Sequence, residues 1–302
     1  MISMKRIKRL TVKALLIVIL IVSYQLIINY EIKDNKPKNT INKPTEVYPF
    51  QMYFIDVGEA DCILIKYNDE YTLVDAGNNK DGKKIVAYLK DLGIEHFEYV
   101  IGTHAHEDHI GGMDDIIKNF SIDHYYMTKT EVDMITYTEI KDELNKKGIK
   151  YETPKIDKSF KMSQVQFKVL WIDDNKEDIN ATSIVLKVNY QNTSYLLMAD
   201  ATTDVEHQIL EKDIESDLIK VAHHGSNHSS SAVFLKKVNP KYAIISVGTP
   251  NDYGFPKQVT LEKLEKLNTL VLRTDELGTI IASSDGNNIY FDSIRTDTNF
   301  IE

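Results

Sequence analysis

His104-Ala105-His106-Glu107-Asp108-His109 follows the apolar run 99–103 and precedes Gly111-Gly112 and a helical pattern that starts at Met113. The segment therefore occupies a loop between a strand and a helix. Residues two apart on an extended chain point the same way, so His104 and His106 are placed to hold one metal ion. The turn that follows presents Asp108 and His109 to a second. Imidazole and carboxylate ligands suit Zn²⁺, with Mn²⁺ or Fe as other choices. A polar loop with incidental histidines is the bland alternative. It would have to gather three of the chain's nine His and one Asp into six residues by chance.

Outward from this loop, short runs rich in Ile, Val and Tyr alternate with helical patterns. Residues 51–57, 62–67, 71–74 and 99–103 read as strands, broken by Gly58, Asn68-Asp69 and Gly77-Asn78. Helices are expected over 83–92, 113–120 and 139–147. A second half follows with strands at 164–171, 183–189, 195–198, 218–222, 242–247, 270–273 and 279–283. Its helices are expected at 204–210, 232–237 and 261–267. Two mixed halves of this kind predict an α/β fold of layered sheets with helices outside.

Other strand ends carry chemistry of the same type. His223-His224-Gly225-Ser226 closes the run 218–222. Gly225 lets the backbone approach a ligand closely, and Ser226 offers a hydroxyl. Spacing leaves open which imidazole binds. His223, next to the strand, is expected as the ligand, and His224 as proton donor or substrate contact. Asp200 ends the run 195–199 and suits a helix N-cap. With Thr203 capping instead, Asp200 is free to bridge two metals. Asp75, in Leu73-Val74-Asp75-Ala76-Gly77, is either a turn residue or a carboxylate that orients a ligating imidazole. The stretches 56–61 and 180–183 read, by themselves, as turn chemistry.

The single cysteine, Cys62, excludes an intramolecular disulfide framework and a thiolate zinc site. At the other end of the charge scale, Lys5, Arg6, Lys8, Arg9 and Lys13 flank an apolar run over 11–30, long enough to cross a bilayer. Residues 1–30 are expected to be a membrane anchor with the basic cluster cytoplasmic, 31–48 a polar tether, and 49–296 an extracellular domain. Secretion after signal cleavage is the alternative, although no small-residue cleavage site is seen. Nine of the 36 Lys/Arg and three of the 45 Asp/Glu fall in residues 1–46, leaving 27 basic against 42 acidic residues, a charge of about −15, beyond them. So acidic a domain is a poor general binder of polyanions.

Taken in order, Leu-Val-Asp75-Ala-Gly, the His104–His109 cluster, Asp200 and His223 resemble the metallo-β-lactamase superfamily. More narrowly, Phe54-Ile55-Asp56-Val57-Gly58, Asn180-x-x-Ser183, His223-His224-Gly225-Ser226 and Arg273-Thr274-Asp275-x-x-Gly278 look like its ComEC-type branch. The similarity runs from about residue 51 to 290. It implies an αββα sandwich with a two-metal site at one edge of the sheets. Carried over, one metal would be held by His104, His106 and Asp200, and the other by Asp108, His109, Asp200 and His223, with Asp75 behind them.

The resemblance implies a metal-dependent hydrolase in which Asp108 orients the attacking water and His224 protonates the leaving group. Asn180, Ser183, Ser226, Asn251 and Tyr253 are the expected substrate contacts. A phosphodiester of nucleic acid or of the cell surface is the expected substrate, and no obligate protein partner is expected. A carbonyl substrate such as a lactone, thioester or β-lactam, or a non-catalytic binding domain, is the alternative. The chain departs from the pattern at three points, one being that His106 is present where ComEC-type proteins often lack the second His of the cluster. A third histidine for the first metal is missing, with Asn180 near its place and only His124 in the interval. Phe255 also stands where that branch usually has His before Pro256.

Overall fold

A computed structural model describes residues 47–130, 135–174 and 177–294. Every described residue belongs to one compact unit, Ile41–Glu302. The strands are β1 (Phe50–Phe54), β2 (Ile63–Tyr67), β3 (Glu70–Val74), β4 (His96–Gly102), β5 (Ser121–Met127), β6 (Tyr151–Glu152), β7 (Ser159–Met162) and β8 (Val165–Trp171). They continue with β9 (Val185–Tyr190), β10 (Thr193–Leu197), β11 (Leu218–Lys220), β12 (Tyr242–Ile245), β13 (Leu270–Arg273), β14 (Thr279–Ser284) and β15 (Ile289–Ile294). The helices are α1 (Gly82–Asp91), α2 (Glu107–Ile110), α3 (Met113–Asn119), α4 (Ile135–Lys147), α5 (Thr203–Ile209), α6 (Ala232–Val238), α7 (Gln258–Lys266) and α8 (Thr274–Leu277).

Among the described residues the strands form two mixed sheets, ordered β15-β14-β1-β2-β3-β4-β5-β6 and β13-β12-β11-β10-β9-β8-β7. The period-2 alternation of the sequence explains how they stack. On β1, Phe50, Met52 and Phe54 face the second sheet and pack with Phe167, Leu186, Val188 and Tyr195. Tyr53 and Ile55 point the other way, under Ile85 and Leu89 of α1, Ile116 of α3 and Ile140 of α4. The second sheet sends Leu196, Ile219 and Ile245 outward under Val205 of α5, Phe234 of α6 and Leu264 of α7. Each large apolar side chain so buried contributes about 1.5–3 kcal/mol. The expected sandwich of two sheets between helices is the fold found.

Both sheets contain a parallel portion, β3-β4-β5-β6 in one and β10-β11-β12-β13 in the other. Parallel neighbours need crossover connections, supplied by α1 to α4 on one face and α5 to α7 on the other. All parallel strands of a set then end on the same side, where loops gather ligands. Gly111 shows how tightly that side is built. A Cβ there would lie 2.2 Å from Asn79 N and 2.4 Å from the Asn78 carbonyl carbon, so only glycine lets α2 rest on this loop.

Two readings are corrected here. No helix among the described residues is long and apolar enough to cross a membrane, so anchoring in a cell membrane by a single span is not supported. The run on which that expectation rested, residues 11–30, lies outside the described residues, as does most of the tether. In addition, β5 was not expected. Its first half is mostly solvent-exposed and its second half buried on both faces, so it has no period to read. His124 sits on this strand, exposed, with its ring stacked on Tyr99 at 5.0 Å and away from the histidine cluster.

Candidate metal centre

The cluster begins where β3 and β4 end side by side. Asp75 adopts a left-handed φ of 60°, which turns its carboxylate under the neighbouring loop. There its Oδ1 accepts from the Thr103 N–H at 2.8 Å and its Oδ2 from the Thr103 hydroxyl at 2.8 Å. The Thr103 hydroxyl proton is thus used, so its oxygen accepts from His104 Nδ1 at 3.1 Å. That assigns the proton of His104 to Nδ1 and leaves Nε2 facing His106 Nδ1 at 3.2 Å. Asp75 Oδ2 also takes a hydrogen bond from His109 Nδ1 at 2.8 Å, leaving Nε2 of that ring to the cluster. One buried carboxylate therefore sets the tautomer of two imidazoles, the arrangement expected behind metal-bound histidines.

Asp200, delivered by the end of β10, lies between the two groups. Its Oδ1 is 3.2 Å from His109 Nε2, and its backbone N–H donates to Ser183 Oγ at 3.3 Å. One set of ligand atoms comprises Asp108, His109, Asp200 and His224, and another His104, His106 and Asp200, each within 4.8 Å of one another. Asp200 belongs to both.

The two histidines after β11 are separated by backbone geometry. His223, His224 and Gly225 have φ of 50°, 51° and 83°, a left-handed turn that swings the two rings apart, with planes 79° to each other. His224 turns inward and is 1% exposed. Its Nδ1 donates to the Ser246 carbonyl at 2.9 Å, and its Nε2 reaches Asp108 Oδ2 at 3.3 Å and Asp200 Oδ1 at 3.8 Å. His223 stays partly exposed, with Nε2 3.7 Å from Asp200 Oδ2. The expected ligand, His223, is therefore outside the tight four-residue set, and the expected proton donor, His224, is inside it.

A cation fits this arrangement. His109 Nε2 and Asp200 Oδ1 are both buried and lack a hydrogen-bond partner although they face each other. Burial opposes a proton on His109, yet Asp200, Asp108 and Asp75 outweigh it and lift its pKa well above the ordinary imidazole value. Burial likewise opposes ionisation of Asp200, but His109 and His224 hold its carboxyl well below the usual range. His104 goes the other way. Burial and the neighbouring His109 keep it neutral, far below its ordinary pKa. Ionised carboxylates facing imidazole nitrogens are the donor set of a divalent metal, which takes the place of the ring protons when it binds.

A third carboxylate group, formed with Asp61, Asp75 and His109, already has its cation. Lys220, fully buried at the end of β11, brings Nζ to 2.9 Å from Asp61 Oδ2, an electrostatic contact without hydrogen-bond alignment. Asp61 in turn lies 4.0 Å from His109 Nδ1 and 3.9 Å from His224 Nδ1. This ion pair links the two sheets directly behind the cluster. Neither partner was singled out from the sequence, though a lysine inside the apolar run 218–222 is a signal worth reading.

Two clefts open from the centre. One, of about 400 Å³, reaches down to Asp108 and the buried Asp200 and is walled by Glu59, Glu107, Tyr253 and Phe255. Tyr253 is 67% exposed and stacks on Phe255 at 5.5 Å, and Phe255 meets His223 edge-on at 5.6 Å. Phe255 thus fills its place as a ring wall instead of supplying an imidazole. The other cleft adjoins His223 and includes Asn180. Of the expected substrate contacts, Asn180 and Tyr253 reach a cleft and three do not. Ser183 and Ser226 are fully buried and bond internally, to Asp200 N–H and His228 N–H. Asn251 braces its own loop, accepting from Phe255 N–H and donating to the Gly248 and Phe255 carbonyls.

Replacing Asp75 by Asn removes the charge and the acceptor that set both tautomers. Metal affinity, read by competition with a chromophoric chelator, is expected to fall about 10–100-fold. An unchanged affinity would mean that Asp75 only braces its turn.

Comparison with known proteins agrees with this geometry. A family profile described as "Metallo-beta-lactamase superfamily" matches residues 55–249. ComE operon protein 3 of Bacillus subtilis is 28% identical over 247 residues, 75% of this chain and 32% of that protein. Recombination protein 2 of Haemophilus influenzae is 29% identical, covering 80% of this chain and 29% of its own length. Competence protein ComA of Neisseria gonorrhoeae is 27% identical, over 74% and 31% respectively. The ComEC-type resemblance is thereby met, and the chain spans about a third of the length of these relatives. Among solved structures, the metallo-beta-lactamase fold protein YhfI of Bacillus subtilis superposes with a TM-score of 0.52 at 12% identity, over 80% of this chain and all of that one. CmlA, a diiron β-hydroxylase of Streptomyces venezuelae, gives 0.53 at 12% identity, over 84% and 55%. At such identities the match concerns the fold alone.

Proposed function

Since the chain belongs to the metallo-beta-lactamase superfamily, a fold of metal-dependent hydrolases, we propose that its cleft cleaves phosphodiesters at a two-metal site. One observation carries the reading: Asp200 is common to two sets of converging ligands, His104 and His106 on one side, Asp108, His109 and His224 on the other. Divalent ions held there would acidify a water and stabilise charge on the attacking and leaving oxygens of an in-line displacement. Zn²⁺ suits the donors, with Mn²⁺ or Fe as alternatives. The similarity to ComEC-type proteins and the absence of Lys or Arg from the described lining of this cleft are consistent with a phosphate whose charge is met by metal.

The chain's own residues then divide the work. Asp75 and Thr103 hold His104 and His109 in the tautomers that aim Nε2 inward. The Ser246 carbonyl does the same for His224, which this reading makes a ligand. Asp108 faces the cleft and orients the attacking water. His223, partly exposed beside Asp200, is placed to relay a proton from solvent to the leaving oxygen, burial holding its own pKa below the ordinary imidazole value, so the two adjacent histidines exchange the roles expected from their spacing. Phe255 stands edge-on to His223 and limits the positions its ring can take.

The test uses the full chain. Bound metal is measured, and bis-p-nitrophenyl phosphate, linear DNA and nitrocefin are assayed with Mn²⁺ or Zn²⁺. Hydrolysis of a phosphodiester, with nitrocefin untouched, is the expected result. Metal bound without phosphodiester turnover would sink the proposal.

A further inference from the structure

The second cleft is built differently from the first, although the two share His223. Its volume is about 510 Å³, within the range of small-molecule sites. The side chains of Asp178, Asn180, Thr202, Asp204, Asn227 and His228 line it, and each is a hydrogen-bonding group. Among the described residues, no large apolar side chain and no Lys or Arg contributes to the wall. Among them too, two polar atoms of the lining residues are buried without a partner: Asn180 Oδ1, an acceptor, and Thr202 Oγ1, which both donates and accepts. Thr203, by contrast, is already committed, its hydroxyl donating to the His228 carbonyl at 2.9 Å and so holding the far wall in place.

We propose that this cleft binds a neutral, hydroxyl-rich arm of the substrate, a sugar or polyol joined to the phosphate that sits at the metal centre. The proposal rests on the phosphodiesterase reading and names its substrate class. The chemistry of the wall selects among arms. An apolar or aromatic arm would have to cover the polar atoms that make up the larger part of the wall. A second phosphate would meet Asp178 and Asp204, and like charges at short range disfavour it. An ammonium satisfies the carboxylates but leaves the amide donors of Asn227 unmatched. Hydroxyls donate to Asp178 and Asp204 while accepting from Asn227, so they satisfy both kinds of group together. Polynucleotides are disfavoured on the same grounds, since their next phosphate lies one sugar away.

Direct binding tests this on the Zn²⁺-loaded full chain by calorimetry, with inorganic phosphate, glycerol 3-phosphate and glucose 1-phosphate as probes. At least one polyol or sugar phosphate is expected to bind tenfold or more tightly than phosphate. In Asp204→Ala and Asp178→Ala, compared at equal metal content, that ratio is expected to collapse towards one. Equal affinities in the parent chain, or a ratio untouched by both variants, would overturn the assignment. A short oligonucleotide that outcompetes the polyol phosphates and loses its advantage in the same variants would overturn it in favour of nucleic acid. The ratio is read without turnover. A large ratio in a chain inactive on bis-p-nitrophenyl phosphate would therefore keep the cleft and discard the phosphodiesterase reading, whereas turnover with a ratio of one would do the reverse.

Discussion

Replacement of Asp200 by Ala is expected to empty the centre and abolish hydrolysis while the sheets remain folded. Residues behind metal ligands are each worth about 10–100-fold in metal affinity. A carboxylate common to both ligand sets exceeds that, because its removal takes one donor from each. It also takes away the carboxylate that both His109 Nε2 and His224 Nε2 face, at 3.2 and 3.8 Å. Metal content by elemental analysis and turnover of bis-p-nitrophenyl phosphate read the effect, with circular dichroism as the check on folding. Retention of parental metal content would show that the two ligand sets do not meet at Asp200. His109→Ala has a similar expected outcome and leaves Asp75 without its imidazole.

The second large effect is on stability. Lys220→Met leaves Asp61, 1% exposed, without the ammonium that faces its Oδ2 at 2.9 Å. Breaking a buried pair from one side costs about 3–5 kcal/mol, whereas removing both partners together is often neutral. Lys220→Met is accordingly expected to lower the urea midpoint strongly, and Lys220→Met with Asp61→Leu to recover most of the loss. The single variant is also expected to weaken metal binding. An unpaired Asp61 competes with Asp75 for His109 Nδ1, 4.0 Å away, and with the Ser246 carbonyl for His224 Nδ1, 3.9 Å away. A single variant within about 0.5 kcal/mol of the parent would place it among ordinary surface changes and refute the clamp.

Much of this was legible before any coordinates. The alternation of Phe50, Met52 and Phe54 against Tyr53 and Ile55 encodes a strand buried on both faces, and helical patterns between parallel strands encode crossovers, so the layered sandwich follows from local periods. The cluster from His104 to His109 was equally plain, since both its density and its place between strand and helix are local. Strand β5 escaped because its burial changes from one end to the other and no period survives. The serines at 183 and 226 matched the resemblance but turned out to serve the framework, which only burial reveals.

The amino-acid sequence alone therefore determined layered sheets with helices outside and most of the histidines and aspartates gathered at their strand ends. Tertiary structure alone decided which of two adjacent histidines joins them. That choice lies in three successive left-handed residues, His223 to Gly225, whose turn sends one ring inward and the other toward the clefts. It also decided that Asp61, in the loop between β1 and β2 of one sheet, and Lys220, on β11 of the other, share one buried contact. Spacing records periodicity within an element. It carries no information on how two sheets, each satisfied by its own pattern, are set against each other.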